Sequence, residues 1–325
     1  MRTNEAPHIA SVTMLRGIAS LAVCLAHFSG TTNCESLMKI GKLGFLGVPI
    51  FFAISGFILP YALSKSNYSL AKSPRFILKR ILRLDPPYLI TIIGIVLLSI
   101  LAQLSQFHAA PIIDIFSFRT LLHLFYLVEF FNESWYNPVF WTLAIEFQFY
   151  LLVALIFPLL LHPKLSMKLI LFCVLASLSF LFHDNSLLPH YLLAFLPGII
   201  LFWFYTKKIS SLVFGVLLSI LVILGFLKSG IETPICALIA ISFISFVKQS
   251  YPWLLFLGTI SYSLYLIHTP FGTDGLINFF QNYIQGETGQ IVLMIVALPC
   301  TIFAAWLFYH IIEKPSIRWS KRIKL

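Results

Sequence analysis

Ten apolar stretches set the pattern of the chain, at 11–29, 44–63, 88–106, 140–161, 168–182, 189–206, 211–227, 233–247, 253–270 and 289–309. Each approaches the roughly 20 residues that an α-helix needs to cross the hydrocarbon core of a bilayer. The pattern therefore predicts an all-α membrane protein, a bundle of about ten transmembrane helices, with residues 1–325 forming a single domain. Residues 109–139 fit no such span. They contain TLLHLFYLVEFF (120–131), too short to cross and carrying His123 and Glu129, which predicts an extracytoplasmic or re-entrant segment. No small-residue cleavage site follows the first stretch, so it is expected to be a retained helix rather than a removed signal.

Composition removes the alternatives to a membrane protein. The chain is 59% hydrophobic and 10% charged, with a mean hydropathy of +0.93, which excludes an ordinary soluble domain. Its net charge of +10 is distributed unevenly. With ten crossings, one side receives Lys65, Lys72, Arg75, Lys79, Arg80, Arg83, Lys164, Lys168, Lys207, Lys208 and Lys248, together with the basic tail 310–325; the other keeps Lys39, Lys42, Arg119 and Lys228. The positive-inside bias makes the first side the cytoplasm and places both termini there. Basic residues spread over loops beside a membrane suit anionic lipid or an anionic co-substrate, and argue against nucleic acid. The five cysteines stand singly in or beside apolar runs, without the paired spacing of a metal or redox site.

A few polar side chains interrupt the apolar runs. In SVTMLRGIASLAVCLAHFSG (11–30), Arg16 and His27 are eleven residues apart, three helical turns, so they share one face about 16 Å apart. Two readings fit: a polar path through the bundle, or an arginine that snorkels to the inner headgroups and a histidine that ends the helix. The second run, GKLGFLGVPIFFAISGFILPYAL, places Gly44, Gly47, Ser55 and Gly56 where small residues permit close helix contact, and it is expected to pack on the first. In SPRFILKRILRLDPPYL (73–89), an amphipathic stretch is expected at the inner surface, ended by Pro86 and Pro87. Arg80 and Arg83, three apart, present neighbouring forks suited to phosphate or to lipid headgroups, with Lys79 beside them. Glu146, about 7–8 Å beyond Trp141 in the fourth run, is a carboxylate that must be paired, hydrogen-bonded or protonated at that depth, and Tyr150 follows one turn later. The run boundaries put Glu146 level with His27, predicting a general base and its orienting partner. Tyr265 and His268 share a face at the outer end of the ninth run.

Taken in order, LRGIASLAVCLAHF, GVPIFFAISGFIL, KRILRLDPPY, FWTLAIEFQFYLL, SYSLYLIHTP and IIEKP resemble the acyltransferase-3 family of integral-membrane acyltransferases over nearly the whole chain. The resemblance implies ten transmembrane helices and transfer of an acyl group, most often acetyl, from a coenzyme A thioester to a hydroxyl of a cell-surface polysaccharide or lipid-linked saccharide. It maps the family's intramembrane arginine and histidine onto Arg16 and His27, its arginine pair onto Arg80 and Arg83, and its glutamate onto Glu146. Many members carry an extracytoplasmic esterase-like domain after the helices; without one here, a second acyl-transfer step is expected to need another protein. Val48-Pro49 departs from the acidic residue that many members carry after the glycine-valine.

The expected mechanism joins both lines. Acyl-CoA from the cytoplasm docks its phosphates on Lys79, Arg80 and Arg83, and its pantetheine arm passes Arg16. His27, charge-balanced by Glu146, deprotonates the acceptor hydroxyl by direct transfer or through an acyl-histidine. His268, Tyr265 and Tyr150 are candidates to touch the substrate or the oxyanion. No metal is expected, and a bacterial inner membrane is the expected location. The competing reading is a transporter or flippase of a lipid-linked glycan, whose usual repeated halves and broken helices are not evident in the sequence.

Overall fold

The computed structural model describes residues 10–104, 116–281, 283–284 and 286–325, and its regular structure is helical throughout. Residues 109–115 of the predicted extracytoplasmic segment and 105–106 of the third predicted span lie outside the described residues. Every one of the ten apolar runs overlies helix. Helices α1 (Ala10–Ser29), α2 (Glu35–Lys42), α3 (Gly47–Ser64), α4 (Ser73–Leu104) and the short α5 (Phe118–Leu124) are followed by α6 (Phe140–Leu161), α7 (Leu165–Leu181), α8 (Leu188–Tyr205), α9 (Ser211–Ser229) and α10 (Glu232–Phe246). The last third holds α11 (Pro252–Thr259), α12 (Ser261–Ile267), a π-helical stretch His268–Asn278, α13 (Phe279–Gln281), α14 (Glu287–Phe308), a π-helical turn Tyr309–Glu313 and α15 (Lys314–Lys321).

Among the described residues, seven helical stretches are long and apolar enough to cross a membrane, or eight when the bent pair Pro252–Thr259 and Ser261–Gln281 counts as one. The apolar α7 and α10 are shorter, at 17 and 15 residues. This is a multi-pass helical membrane protein. Two sequence expectations change. The bent pair turns by 54° at its break, so the bundle does contain a broken helix. Pro86 and Pro87 do not end the amphipathic stretch: α4 runs through both for 32 residues, from its basic start into an apolar span. A proline removes one helical N–H without stopping a helix whose other face is packed, and here Thr91 Oγ1 donates to the Pro87 carbonyl at 2.9 Å.

Close backbone approach organises the core. A Cβ on Gly44 would lie 2.0 Å from the Ala22 carbonyl oxygen, and one on Gly47 2.6 Å from that of Ala19, so this part of the second run packs on α1 as expected. Gly56 does not. It faces α8, where its Cβ would meet the Phe195 carbonyl oxygen at 2.1 Å, and Gly198 returns the contact against Ala53 and Phe57. Phe52, Phe149 and Phe195 stack beside this seam, with ring centroids 4.5 and 4.0 Å apart. On its other side α1 touches α11 through Gly17 and Gly258. The seams pin the positions of Arg16 and Ser55, the immediate neighbours of Gly17 and Gly56.

The segment between α4 and α6 reaches well below the start of α6. Tyr126 donates to Asp85 Oδ1 at 3.0 Å and stacks on Phe147, seven residues, about 10 Å, into α6. Tyr88 on α4 holds the same loop by donating to the His123 carbonyl at 3.0 Å.

Candidate active site

A narrow cavity opens between α1, α3, α6 and α12, bordered by Arg16, Ser55, Glu146, Ser261, Tyr262 and Tyr265. Its volume is about 40 Å³, room for roughly three waters at 10–15 Å³ each. Glu146 is held on one wall: Ser55 Oγ donates to its Oε1 at 2.7 Å, and the Tyr150 hydroxyl, one turn along α6, also donates to it. Arg16 borders the cavity within electrostatic reach of Arg83, Glu146 and Glu313. Arg80 lies over the rings of Phe76 and Tyr150, 5.2 and 5.5 Å from their centroids, so it points inward rather than along the surface.

The arginines are not neutralised by contact. Among the described residues the one ion pair is Lys39–Glu35 at 2.8 Å on the exposed α2, and the buried Nε atoms of Arg16 and Arg80 have no hydrogen-bond partner. Buried N–H groups of a cation left open in this way are anion-binding capacity. Lys79 is differently placed from its neighbours: its Nζ donates to the Ile323 carbonyl at 3.3 Å, and its own carbonyl accepts from Ser320 at 2.8 Å, tying α4 to the chain around α15.

A second cluster lies farther along α1. His27 packs edge-on to Phe45, centroids 5.2 Å apart, and 5.1 Å from the ring of His268. His268 is fully buried at the start of the π-helical stretch, with Nδ1 2.9 and 3.1 Å from the carbonyl oxygens of Tyr265 and Leu264. Asn137 braces this turn by donating to the Leu266 carbonyl at 3.0 Å and accepting from Thr269 at 2.6 Å. The Tyr265 hydroxyl shares a hydrogen bond of 2.7 Å with Thr142, and both residues border the cavity.

The expected pairing of His27 with Glu146 is not what the structure shows; among the described residues no hydrogen bond or ion pair joins them. The cause is depth. His27 lies two residues from the last residue of α1, about 3 Å, and Glu146 six residues from the first of α6, about 9 Å. The structure sets Arg16 and Glu146 on the wall of one cavity, with Tyr150, Arg80 and Arg83 behind them, and puts His27 with His268 in another cluster.

Several polar residues of this interior escaped the sequence reading. Glu313, 4% exposed, accepts from the Ser263 backbone N–H at 3.1 Å and its hydroxyl at 2.5 Å, within electrostatic reach of Arg16 and Arg83. Tyr262 donates to the Leu84 carbonyl at 2.8 Å. Ser55 was read only as a small packing residue. The signal for Glu313 was present in IIEKP, a carboxylate following an apolar run without a break.

Fold and cavity together define a polytopic membrane protein with a polar, cation-rich interior. A family model described as an acyltransferase domain matches residues 9–310, and the chain belongs to that family. It is 30% identical, over an alignment of 352 positions with gaps, to the O-acetyltransferase OatA of Staphylococcus aureus (strain NCTC 8325 / PS 47), covering 93% of this chain and 56% of that protein. Over shorter stretches it is similar to the putative acetyltransferase ORF330 of Acidianus two-tailed virus, 31% identical over 48% of this chain and 42% of that one. It is also 29% identical to the peptidoglycan O-acetyltransferase OatA of Listeria monocytogenes serovar 1/2a (strain ATCC BAA-679 / EGD-e), over 45% of this chain and 23% of that one. The chain thus spans little more than half the length of the first of these relatives. No solved structure matches it.

Proposed function

We propose that this chain is the membrane-embedded unit of an O-acyltransferase that moves an acyl group, acetyl in the simplest case, from coenzyme A to a hydroxyl of a cell-surface polysaccharide or its lipid-linked precursor. Family membership and the names of the relatives supply the reaction class. The observation that carries the reading in this chain is the pair of unpartnered arginine Nε–H groups, Arg16 at the cavity wall and Arg80 behind it, with Arg16 sharing a face of α1 with His27 about 16 Å away. That spacing separates a place for phosphate from a place for chemistry.

In this scheme ten helices cross a bacterial cytoplasmic membrane with both termini inside, and the loop carrying Tyr126 re-enters from outside. Arg80 and Arg83 bind the phosphates of acyl-CoA, with Lys79 adding charge at the inner mouth. Arg16 faces the pantetheine arm, and the cavity must widen for it to pass. His27 takes the proton of the acceptor hydroxyl as its oxygen attacks the thioester carbonyl; the C–S bond then breaks and the thiolate leaves with that proton. Tyr265, bordering the cavity, is placed to donate to the developing oxyanion. Glu146 balances the arginine charge through the network of Ser55 and Tyr150 instead of orienting His27.

The test is transfer of label from acetyl-CoA by the purified protein in nanodiscs, with and without lipid-linked glycan or peptidoglycan fragments, for wild type and His27→Ala. Acceptor-dependent transfer that disappears in the variant supports the proposal. Absence of coenzyme A binding in wild type rejects it and moves a glycan flippase, consistent with the broken α11–α12 pair, ahead.

A further inference from the structure

Among the described residues His27 has no carboxylate partner of the kind that a catalytic imidazole commonly uses, and the polar ring the fold sets against it is another imidazole. The chemistry of that second ring follows from its hydrogen bonds. Both atoms near Nδ1 of His268 are backbone carbonyl oxygens, at 2.9 and 3.1 Å, and carbonyls only accept. Nδ1 therefore carries the proton, and in the neutral ring Nε2 is a bare acceptor. That acceptor is fully buried and has no partner among the described residues. The ring cannot turn over to satisfy it without leaving two carbonyls behind. The position is also built: the π-helical stretch begins at His268, and Asn137 clamps the residues on either side. Single departures from α-helix of this kind collect at functional sites.

We propose that His268 is a positioning residue for His27: its locked Nε2 accepts a hydrogen bond from one nitrogen of His27 when acceptor is bound, leaving the other nitrogen bare to take the hydroxyl proton. The ring centroids are 5.1 Å apart with planes inclined at 56°, a separation that two facing ring nitrogens can span as a hydrogen bond, and catalytic hydrogen bonds are commonly long before substrate arrives. Once His27 is protonated, the same Nε2 accepts from the imidazolium, the service a carboxylate performs in a triad. His268 is thus kept away from the substrate, and its effect runs through His27. The inference rests on the acyl-transfer reading only in giving His27 the role of proton acceptor; the pairing of the rings is a separate claim.

The two are separated by two measurements. Protein labelled with 15N-histidine in nanodiscs is expected to show a His268 signal of the Nδ1-protonated tautomer, and the His27 signals are expected to move in His268→Asn, which keeps a donor for the carbonyls and deletes the acceptor. An Nε2-protonated His268 in wild type, or unmoved His27 signals in the variant, overturns the pairing whatever the activity. In acyl transfer, His268→Asn is expected to lose about 10- to 100-fold in kcat at unchanged KM for acetyl-CoA, less than the 10²–10⁴-fold of a general base itself. His268→Gln, with an amide oxygen near the Nε2 position, is expected to recover part of the loss. Equal losses in the two variants that follow their melting temperatures would make His268 a structural residue and overturn the proposal. A wild type that transfers nothing rejects the acyl-transfer reading and leaves the 15N result to decide the pairing.

Discussion

Replacing Gly198 by alanine tests the seam on which the cavity depends. The added Cβ would stand 2.0 Å from the Ala53 carbonyl oxygen, 2.4 Å from the Phe57 nitrogen and 2.6 Å from the Gly56 carbonyl carbon. All three are backbone atoms of α3 and cannot rotate aside. A tolerable carbon–oxygen contact is about 3.3 Å, so α3 and α8 must separate by roughly 1.3 Å. Overpacking of this kind costs about 1–3 kcal/mol, and contact with backbone puts this case at the upper end. Near the melting point about 3 kcal/mol corresponds to a fall of roughly 4–5 °C for a chain of 325 residues. Ser55 rides on α3, and its 2.7 Å bond to Glu146 has less than 1 Å to spare before it ceases to be a hydrogen bond at about 3.5 Å. Thermal unfolding in detergent, with Gly215→Ala as the control, makes the comparison, because a Cβ on Gly215 meets nothing within 4 Å. Equal melting temperatures for the two variants would show that the helices yield freely and refute the account of the seam.

Three other changes probe separate parts of the molecule. Ser55→Ala removes a hydrogen bond to a carboxylate worth about 1.5–3 kcal/mol, so acyl transfer should fall at least tenfold, while Ser55→Thr retains it; unchanged rates in Ser55→Ala sink the assignment of Glu146 to the site. Lys228→Met deletes the ammonium that donates to the carbonyls of Ser179 and His190, and should loosen the adjoining ends of α7, α8 and α9 by about 3 kcal/mol, read as faster amide exchange there; unchanged exchange counts against the clasp. His123, between α4 and α6, accepts the Tyr136 N–H on Nε2 at 2.9 Å and has Nδ1 2.8 Å from the Arg119 carbonyl, and burial pushes it down to about 4. The unfolded ring protonates near 6.5, so this loop's stability is complete above that pH and falls as pH drops from 6.5 towards 4, by roughly 3 kcal/mol. Protease nicking of residues 116–136 should rise over that window in wild type and lose its pH dependence in His123→Phe; a flat wild-type profile would rule out the neutral, locked ring.

The helices were legible because a bilayer asks for one thing, a long apolar run, and among the described residues seven or eight stretches meet that demand, with two shorter apolar helices beside them. The polar interior was half legible. Arg16 and Glu146 stood out as charges inside apolar runs, and the fold brings both to one cavity. Their depths were not readable, since a run boundary uncertain by four residues is an error of about 6 Å, enough to mispair His27 with Glu146. Pro86 and Pro87 looked like terminators because propensity is local, whereas the packing that carries α4 through them is tertiary. Glu313 looked like the polar end of a span. Only the folded chain shows it turned inward to Ser263, more than forty residues earlier.

The open arginines also bear on how the protein is made. Arg16, inside a span, costs about 2.5–3.5 kcal/mol to insert, and Arg80 and Arg83 follow in the basic start of α4. Of the carboxylates near them, Glu146 is synthesised only after α4 is complete, and Glu313 only after α14. The early helices must therefore enter the bilayer with their charges uncompensated and wait, sheltered by the insertion machinery or by local water, until α6 and then the turn after α14 arrive. Ribosome-bound chains halted before residue 140 should remain extractable from the membrane, and the bundle should lock only when Tyr309–Glu313 closes against α12.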